Sequence, residues 1–511
     1  MKRKKKWLIG LCVGFFVVGI VGMSFAMTRE RTEFLKTKPY RGITIKVLSL
    51  KANISETAVH FAKQWNELTG GNCRVVSVPF AAFHQKVFMD LVTGRGEYDA
   101  FINGDWFYGD YFLPEKPYII SIEQFMDDPK YPEWDPESLL PALQTVYKWN
   151  GKWYGVPNDC DSHVMYYRRD ILTNPEYQAR FKTKYGYDLP APPETVDQFL
   201  DVAEFFNGWD WDKDGKKDYG VTMHMRTGGQ GMFHFISWAA AYVISPENAR
   251  FWFNPETLDP LINSPGHVKA LEDFVRLVKY GPPAMLGWDL GEAWDLALKG
   301  DAVLTFTWGD LGALAQDEKE SVIKGKIGAA PMPGTMRAYD PIAKKWIEFD
   351  KPNRVGNVLG GSWHGVISRY SKHPEITYDF LSYMAEKDNA FWAFVRGYTG
   401  IDPGRTFAFL EPYGTADIKD YTEQGWHLDD VKPYTDAYYL NYTNPLQLPP
   451  MRISRADEYL RALDVAQARV AMGELAAKEA LDDLHGVFQE ITDRVGKDKQ
   501  MRIFKEAMGL K

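Results

Sequence analysis

The stretch Gly42-Ile-Thr-Ile-Lys-Val-Leu-Ser-Leu50, read with the apolar runs that follow it, decides the fold. Its β-branched residues spell a strand. Glu56 to Leu68 has helical spacing, with Ser55 as the expected N-cap and Gly70-Gly71 as the stop. Arg74 to Pro79 reads as a second strand, Phe83 to Leu91 as a helix ended by Gly94, and Tyr98 to Asn103 as a third strand. Strand, helix, strand, helix, strand predicts parallel pairing in an α/β sheet. Ligands of such sheets lie beyond the carboxyl ends of the strands. The residues there are Ser49-Leu50-Lys51 and Gly104-Asp105-Trp106.

Farther along, Asn150-Gly151 inside Tyr147 to Pro157 is a two-residue hairpin signal. Thr195–Phe206, Val268–Lys279, Gly291–Lys299 and Pro374–Met384 read as helices, and Ala302–Trp308 and Ile327–Pro331 as strands. Gly360 to Ile367 is a glycine-rich strand. The tail from Ser454 to Gly509 is largely helical. Its Leu481, Leu484, Phe488, Ile491 and Val495 line one apolar face, which favours packing on the protein's own body over a partner-binding coiled coil.

Residues 1–26 read as an export segment. Lys2, Arg3, Lys4, Lys5 and Lys6 precede the uncharged run Trp7–Ala26, which is long enough to cross a bilayer. Ser24-Phe25-Ala26 has the small-x-small form of a signal-peptidase site, so cleaved signal and uncleaved inner-membrane anchor both stand. Leu11 before Cys12 argues against a lipoprotein. The body is exported in either case, and the periplasm is its expected location. Export permits a disulfide, but Cys73 at the head of an apolar run and Cys160 in a polar loop are expected to remain free.

The chain has 511 residues, 45% of them apolar and 25% charged, the balance of an ordinary globular protein. Its net charge is −8; with the five leader cations removed, 55 basic residues face 68 acidic ones, or −13. Such a body is a poor partner for nucleic acid. Aromatic residues reach 15%, with 17 Trp, which biases the search toward sugars, whose ring faces stack on them.

No catalytic motif is complete. Gly360-Gly361-Ser362-Trp363-His364 fails the nucleophile-elbow pattern at its fifth position, and no HExxH, CxxC or phosphate-binding loop occurs. No enzyme is expected, although paired carboxylates of a glycan-processing enzyme, a glycoside hydrolase or lyase, remain the alternative. Asp210, Asp212, Asp214, Lys216 and Asp218, with Gly215 at the sixth position, have the spacing of a calcium-wrapping loop. Val221 stands where that loop needs a bidentate Glu, so a structural Ca²⁺ and a solvated turn are equal readings; no cofactor is required.

Several stretches, in order, resemble the extracellular solute-binding proteins of ABC importers, in the sugar-binding family that includes maltose-binding protein. They are Gly151-Lys-Trp-Tyr-Gly-Val-Pro157 with Tyr166-Tyr167-Arg168-Arg169-Asp170, and Pro193-Glu-Thr-Val-Asp-Gln-Phe199. Gly300-Asp-Ala-Val-Leu304, Gly328, Pro331-Met-Pro333-Gly334, Gly360-Gly361, Ser371-Lys372-His373-Pro374 and Gly397 to Arg405 continue the series. Val196 stands where the family usually has Trp.

The resemblance implies two α/β lobes, the type II periplasmic-binding-protein fold, with ligand in the cleft between them. Three crossings are expected near Pro157–His163, Thr305–Asp310 and Gly365–Tyr370. Lobe one is then 42–160 plus 308–367, and lobe two 161–307 plus 368–511. Closure by hinge bending would sequester the ligand. The implied function is a periplasmic receptor, expected as a monomer, that hands a carbohydrate or polyol to the ABC permease. Candidate ligand-binding residues at strand ends and crossings are Asp105, Trp106, Asp159, Asp161, His163, Trp308, Asp310, Trp363 and His364. Carboxylates read hydroxyls and aromatic faces read ring faces.

Overall fold

A computed structural model describes residues 27–359 and 362–510. The apolar run Trp7–Ala26 lies outside the described residues, as do Gly360 and Gly361. No described helix is long and apolar enough to cross a membrane.

Two sheets organise the chain. The first runs Asn72–Val78, Thr44–Leu50, Ala100–Asn103, His364–Ile367, Gly155–Pro157 in spatial order. Its first three strands are parallel, as the alternation of apolar runs predicts, and His364–Ile367 is antiparallel to both neighbours. The second sheet runs Ile327–Ala330, Val164–Arg168, Ala302–Thr307, Tyr219–Val221, with only the last pair parallel. Both are sheathed in helices, and fully buried strand faces such as Ala302–Thr307 form the cores.

The helix after the first strand begins at Asn53 rather than after Ser55. Ser55 does not cap it: its hydroxyl donates to the Leu50 carbonyl from within the first turn. Gly70 ends the helix in the left-handed region at φ 76°, as glycine permits. Ahead of the first strand lies another helix, Arg29–Lys36, capped by Thr28. Arg31 from this helix pairs with Asp379, a fully buried carboxylate that also accepts from Tyr40 Oη (2.9 Å) and Trp65 Nε1 (2.7 Å).

Two segments bear on where the lobes divide. The chain leaves the first sheet after Pro157 and enters the second at Val164, but Ile327–Ala330 pairs with Val164–Arg168 in the second sheet. Only the end of segment 308–367 therefore joins the first sheet, at His364. Gly328 makes the close pairing feasible, since a Cβ there would lie 2.2 Å from the Tyr167 ring. Conversely, helix Pro374–Ala385 packs on helix Asn53–Thr69 and the first sheet, where Asp379 accepts from Trp65.

The C-terminal helices Ala456–Ala471, Ala477–Val495 and Lys497–Ala507 pack on the body. Leu481, Leu484, Phe488 and Ile491 are buried, and the Phe488 ring sits 5.9 Å from Phe253 and 4.8 Å from Tyr459. Cys73 and Cys160 are buried and unpaired.

Candidate functional site

A cavity of about 600 Å³ opens between the two sheets. The first sheet contributes the residues just beyond two strand ends: Lys51, Asn53 and Ile54 after Thr44–Leu50, and Pro79, Phe80 and Ala81 after Asn72–Val78. The opposite wall comes from the loop Arg226–Gln230 and from helix Leu290–Leu298 with Trp294. Arg226 is ion-paired to Asp289 across that wall. The floor is formed by the crossing residues Asp159 and Asp161 together with Trp308, Asp310 and Trp363.

These five are the sequence candidates that the fold brings together. Trp308 follows Ala302–Thr307, donates from Nε1 to the Leu359 carbonyl (3.1 Å), and stands edge-on to His163 at 4.3 Å. Trp363 precedes His364–Ile367, and its carbonyl accepts the amides of Asn158 (3.2 Å) and Asp159 (2.8 Å). One residue thus lines the cavity and fixes the crossing that carries the carboxylates.

The other four candidates lie off the cavity. Trp106 stands behind Trp363 in a T-shaped contact at 5.6 Å, packed between Phe80 and Phe233. Asp105 is buried near Arg452, whose guanidinium covers Tyr108 at 4.6 Å. Burial pushes its carboxyl up to about 6 and Arg452 works in the opposite direction. His163 is fully buried and bonds Ser237 Oγ through Nδ1 (2.9 Å), while His364 bonds the Ser362 carbonyl (2.7 Å) between Tyr108 and Tyr147. Burial drives both imidazoles down, His364 to about 3. They are neutral core groups next to the cleft rather than on it.

Sequence reasoning missed Asp402. It stands behind the floor, and its Oδ2 accepts the Gly309 amide (2.9 Å) and the Tyr438 hydroxyl (2.9 Å), while its own amide donates to Asp159 Oδ1 (2.7 Å). Gly309 permits the approach, because a Cβ there would lie 2.5 Å from Asp402 Oδ1. Burial first, and then mutual repulsion, raises the carboxyls of Asp159, Asp161 and Asp402 well above the ordinary range. Asp310 is raised by burial to about 6. Trp294, Phe80, Arg226 and Asp289 were missed as well; of these, only Phe80 carries a usable signal, its place after a parallel strand.

The acidic loop lies elsewhere, between helix Val196–Phe206 and strand Tyr219–Val221. Its carboxylates bond their own backbone: Asp210 Oδ2 accepts from Gly215 (3.0 Å), Asp212 Oδ1 from Asp214 (3.0 Å), and Asp218 Oδ2 from Trp211 (2.9 Å). Asp214 also holds the Lys216 ammonium at 2.7 Å. One oxygen each from Asp210, Asp212 and Asp218 nevertheless lie within 4.8 Å of one another.

Comparison with known proteins agrees with this architecture. Residues 96–423 match the family described as bacterial extracellular solute-binding protein. A Sinorhizobium fredii relative, named as a probable amino-acid ABC transporter periplasmic-binding protein, is 23% identical over 303 residues, 58% of this chain and 63% of its own length. This chain thus matches less than two thirds of that relative. An Agrobacterium radiobacter ABC transporter solute-binding protein in complex with ribitol superposes with a TM-score of 0.69 at 20% identity, covering 89% of this chain and 100% of its own. An Agrobacterium vitis counterpart with bound D-mannitol gives 0.65 at 19%, covering 89% and 99%. These likenesses establish the two-lobed solute-binding fold. With well over half its length matched by the family, the chain belongs to the bacterial extracellular solute-binding proteins.

Proposed function

We propose that this protein is an ABC-importer receptor that binds a sugar or polyol in the inter-sheet cavity and delivers it to a membrane permease. The observation that carries the reading is the cavity itself. Trp308 and Trp363 line it beside the carboxyl groups of Asp159, Asp161 and Asp310, apolar surface for ring or chain faces next to polar groups for hydroxyls. The ribitol and D-mannitol of its structural neighbours support that substrate class. The family consists of binding proteins, which speaks against a glycan-processing enzyme.

Ligand contacts are assigned to Asp159, Asp161, Trp308, Asp310 and Trp363, with Trp106 and the two histidines in support behind them. Lobe one comprises the first sheet with helix Pro374–Ala385, and lobe two the second sheet with Ile327–Ala330. The protein works outside the cytoplasm, with residues 7–26 as signal or inner-membrane anchor, and acts as a monomer. The loop Asp210–Asp218 holds a structural Ca²⁺, for which the convergence of three carboxylate oxygens is the support.

A thermal-shift screen of sugars, alditols and amino acids tests the substrate class, since a ligand of the native state raises the melting temperature. Stabilisation by a sugar or polyol is expected. Stabilisation by amino acids alone, the class in the rhizobial relative's name, would replace the reading.

A further inference from the structure

The floor of the cavity, with Asp402 behind it, gathers carboxyl groups without a paired cation. Asp159, Asp161 and Asp402 are 3%, 6% and 3% exposed, and one carboxylate oxygen from each lies within 4.8 Å of the others. Asp310 adds a fourth carboxyl beside them. The donors that reach them include the Gly309 and Asp402 backbone amides and the Tyr438 hydroxyl. Among the described residues, no lysine, arginine or histidine forms an ion pair with any of the four.

A second observation concerns the orientation of the oxygens. Asp402 Oδ2 is fixed by the Gly309 amide and the Tyr438 hydroxyl, and Asp159 Oδ1 by the Asp402 amide. Asp161 Oδ2 and Asp402 Oδ1 are buried and, among the described residues, accept no hydrogen bond from an N–H or hydroxyl donor. Unsatisfied buried carboxylate oxygens are costly, and fixed ones facing each other more so. The hydroxyls of a neutral solute would bond such oxygens but bring no positive charge to them as the cleft closes and water departs.

We propose that the cavity floor is a cation subsite, in which Asp159, Asp161 and Asp402 hold one positive centre against the bound solute. Two sources supply the same chemistry. One is a hard divalent cation whose open coordination positions the solute's hydroxyls complete; two oxygens on opposite sides of one Ca²⁺ are about 5 Å apart, which this spacing satisfies. The other is a protonated amine carried by the solute itself. Of the cations that line the cavity, Arg226 is already paired with Asp289, and Lys51 forms no ion pair with the floor among the described residues. The inference rests on the receptor reading, because the cavity is taken as the solute's binding place.

The test uses the full chain with Asp212→Ala and Asp214→Ala in place, so that the acidic loop cannot report. Calcium chloride, and separately the matched pair D-glucamine and D-sorbitol, which differ only in an amine for a hydroxyl, are followed by thermal shift and calorimetry. Stabilisation by calcium chloride, absent with sodium chloride at equal ionic strength, identifies the metal arm. Tighter binding of D-glucamine than of D-sorbitol identifies the amine arm. In either arm Asp161→Asn should weaken binding about tenfold or more, since it removes one ligand charge. The same variant without ligand should melt no lower than its parent, because the substitution relieves like-charge repulsion, and Asp310→Asn provides a second variant with the same expectation. If neither calcium chloride nor D-glucamine stabilises the protein, or if the response survives Asp161→Asn and Asp310→Asn undiminished, the subsite is refuted. The receptor reading fails separately, when no sugar or polyol binds while the cation response persists.

Discussion

Trp106 and Trp308 are both nearly inaccessible, 5% and 3% exposed, yet truncation should separate them. Trp106 is enclosed by Phe80, Phe107, Phe233 and Trp363, with ring centroids at 6.5, 5.5, 5.8 and 5.6 Å. Removing its indole leaves a sealed void, the situation in which large-to-small changes cost about 3–5 kcal/mol. Trp308 contacts His163 (4.3 Å), His224 (5.3 Å) and Phe233 (5.8 Å) on one side, but borders the 600 Å³ cavity on the other. The space left by Trp308→Ala opens into a cavity that already exists, and water there can satisfy the Leu359 carbonyl that loses its partner. About half the sealed-void cost, ~2 kcal/mol, is expected for stability. Ligand affinity should fall by about 1–3 kcal/mol, which is roughly 5- to 150-fold. Trp106→Ala should show the reverse balance, a large stability loss and a smaller affinity loss transmitted through Trp363. Urea unfolding of the free protein gives the first quantity and calorimetry with the best-stabilising sugar or polyol gives the second. Equal ratios of the two losses in both variants would refute the distinction between cleft and core.

Asp310 is raised by burial from 3.8 to about 6, so its protonated form is favoured in the fold. That contribution is full below about pH 4 and lost as pH rises through about 6. It amounts to at most about 3 kcal/mol before discounting for the water in the cavity. The free protein should therefore gain stability on going from pH 7 to 5 relative to Asp310→Asn, as read by melting temperature at both pH values. If the acidic loop holds Ca²⁺, a chelator should lower the melting temperature of the wild type but not of Asp212→Ala with Asp214→Ala; an insensitive wild type would establish the self-bonded turn. Asp379→Ala strands the buried Arg31 guanidinium and the Trp65 N–H, and should cost about 3–5 kcal/mol in urea unfolding. A near-neutral result would show that the Arg29–Lys36 helix is not anchored by this carboxylate.

The first sheet was legible because parallel α/β units write their order into the chain. Each strand is an apolar run, each return a helix with its own stop, and Thr44–Leu50, Asn72–Val78 and Ala100–Asn103 pair as that order requires. The second sheet was not, since its strands come from distant segments and two of its three pairings are antiparallel. Nothing local in Ile327–Ala330 specifies Val164–Arg168 as its partner. The pairing depends on Gly328 lying against the Tyr167 ring, a contact between surfaces rather than a pattern in a segment. The Arg29–Lys36 helix was missed for a similar reason: its composition is polar, and it is held by one long-range ion pair to Asp379.

The same distinction governs the site. Asp159, Asp161, Trp308, Asp310 and Trp363 meet at one cavity, having been chosen from strand ends and from the crossings that the family resemblance implies. His163 and His364 occupy such positions too, but their rings turn inward to Ser237 and the Ser362 carbonyl, and side-chain direction at a crossing has no sequence signature. Asp105 and Trp106 are the instructive pair, because the rule that chose them holds: they do follow the carboxyl end of Ala100–Asn103. What covers them comes from the far end of the chain. Helix Ala456–Ala471 packs against Asp105–Phe107, Arg452 approaches Asp105, and Trp106 borders a void of only about 10 Å³ shared with Leu460, Arg461 and Asp464. The parallel strands offer three exits for a ligand, and the C-terminal helices close one of them. The cavity is left to the ends of the first two strands, and the carboxylates that meet it there come from the crossing.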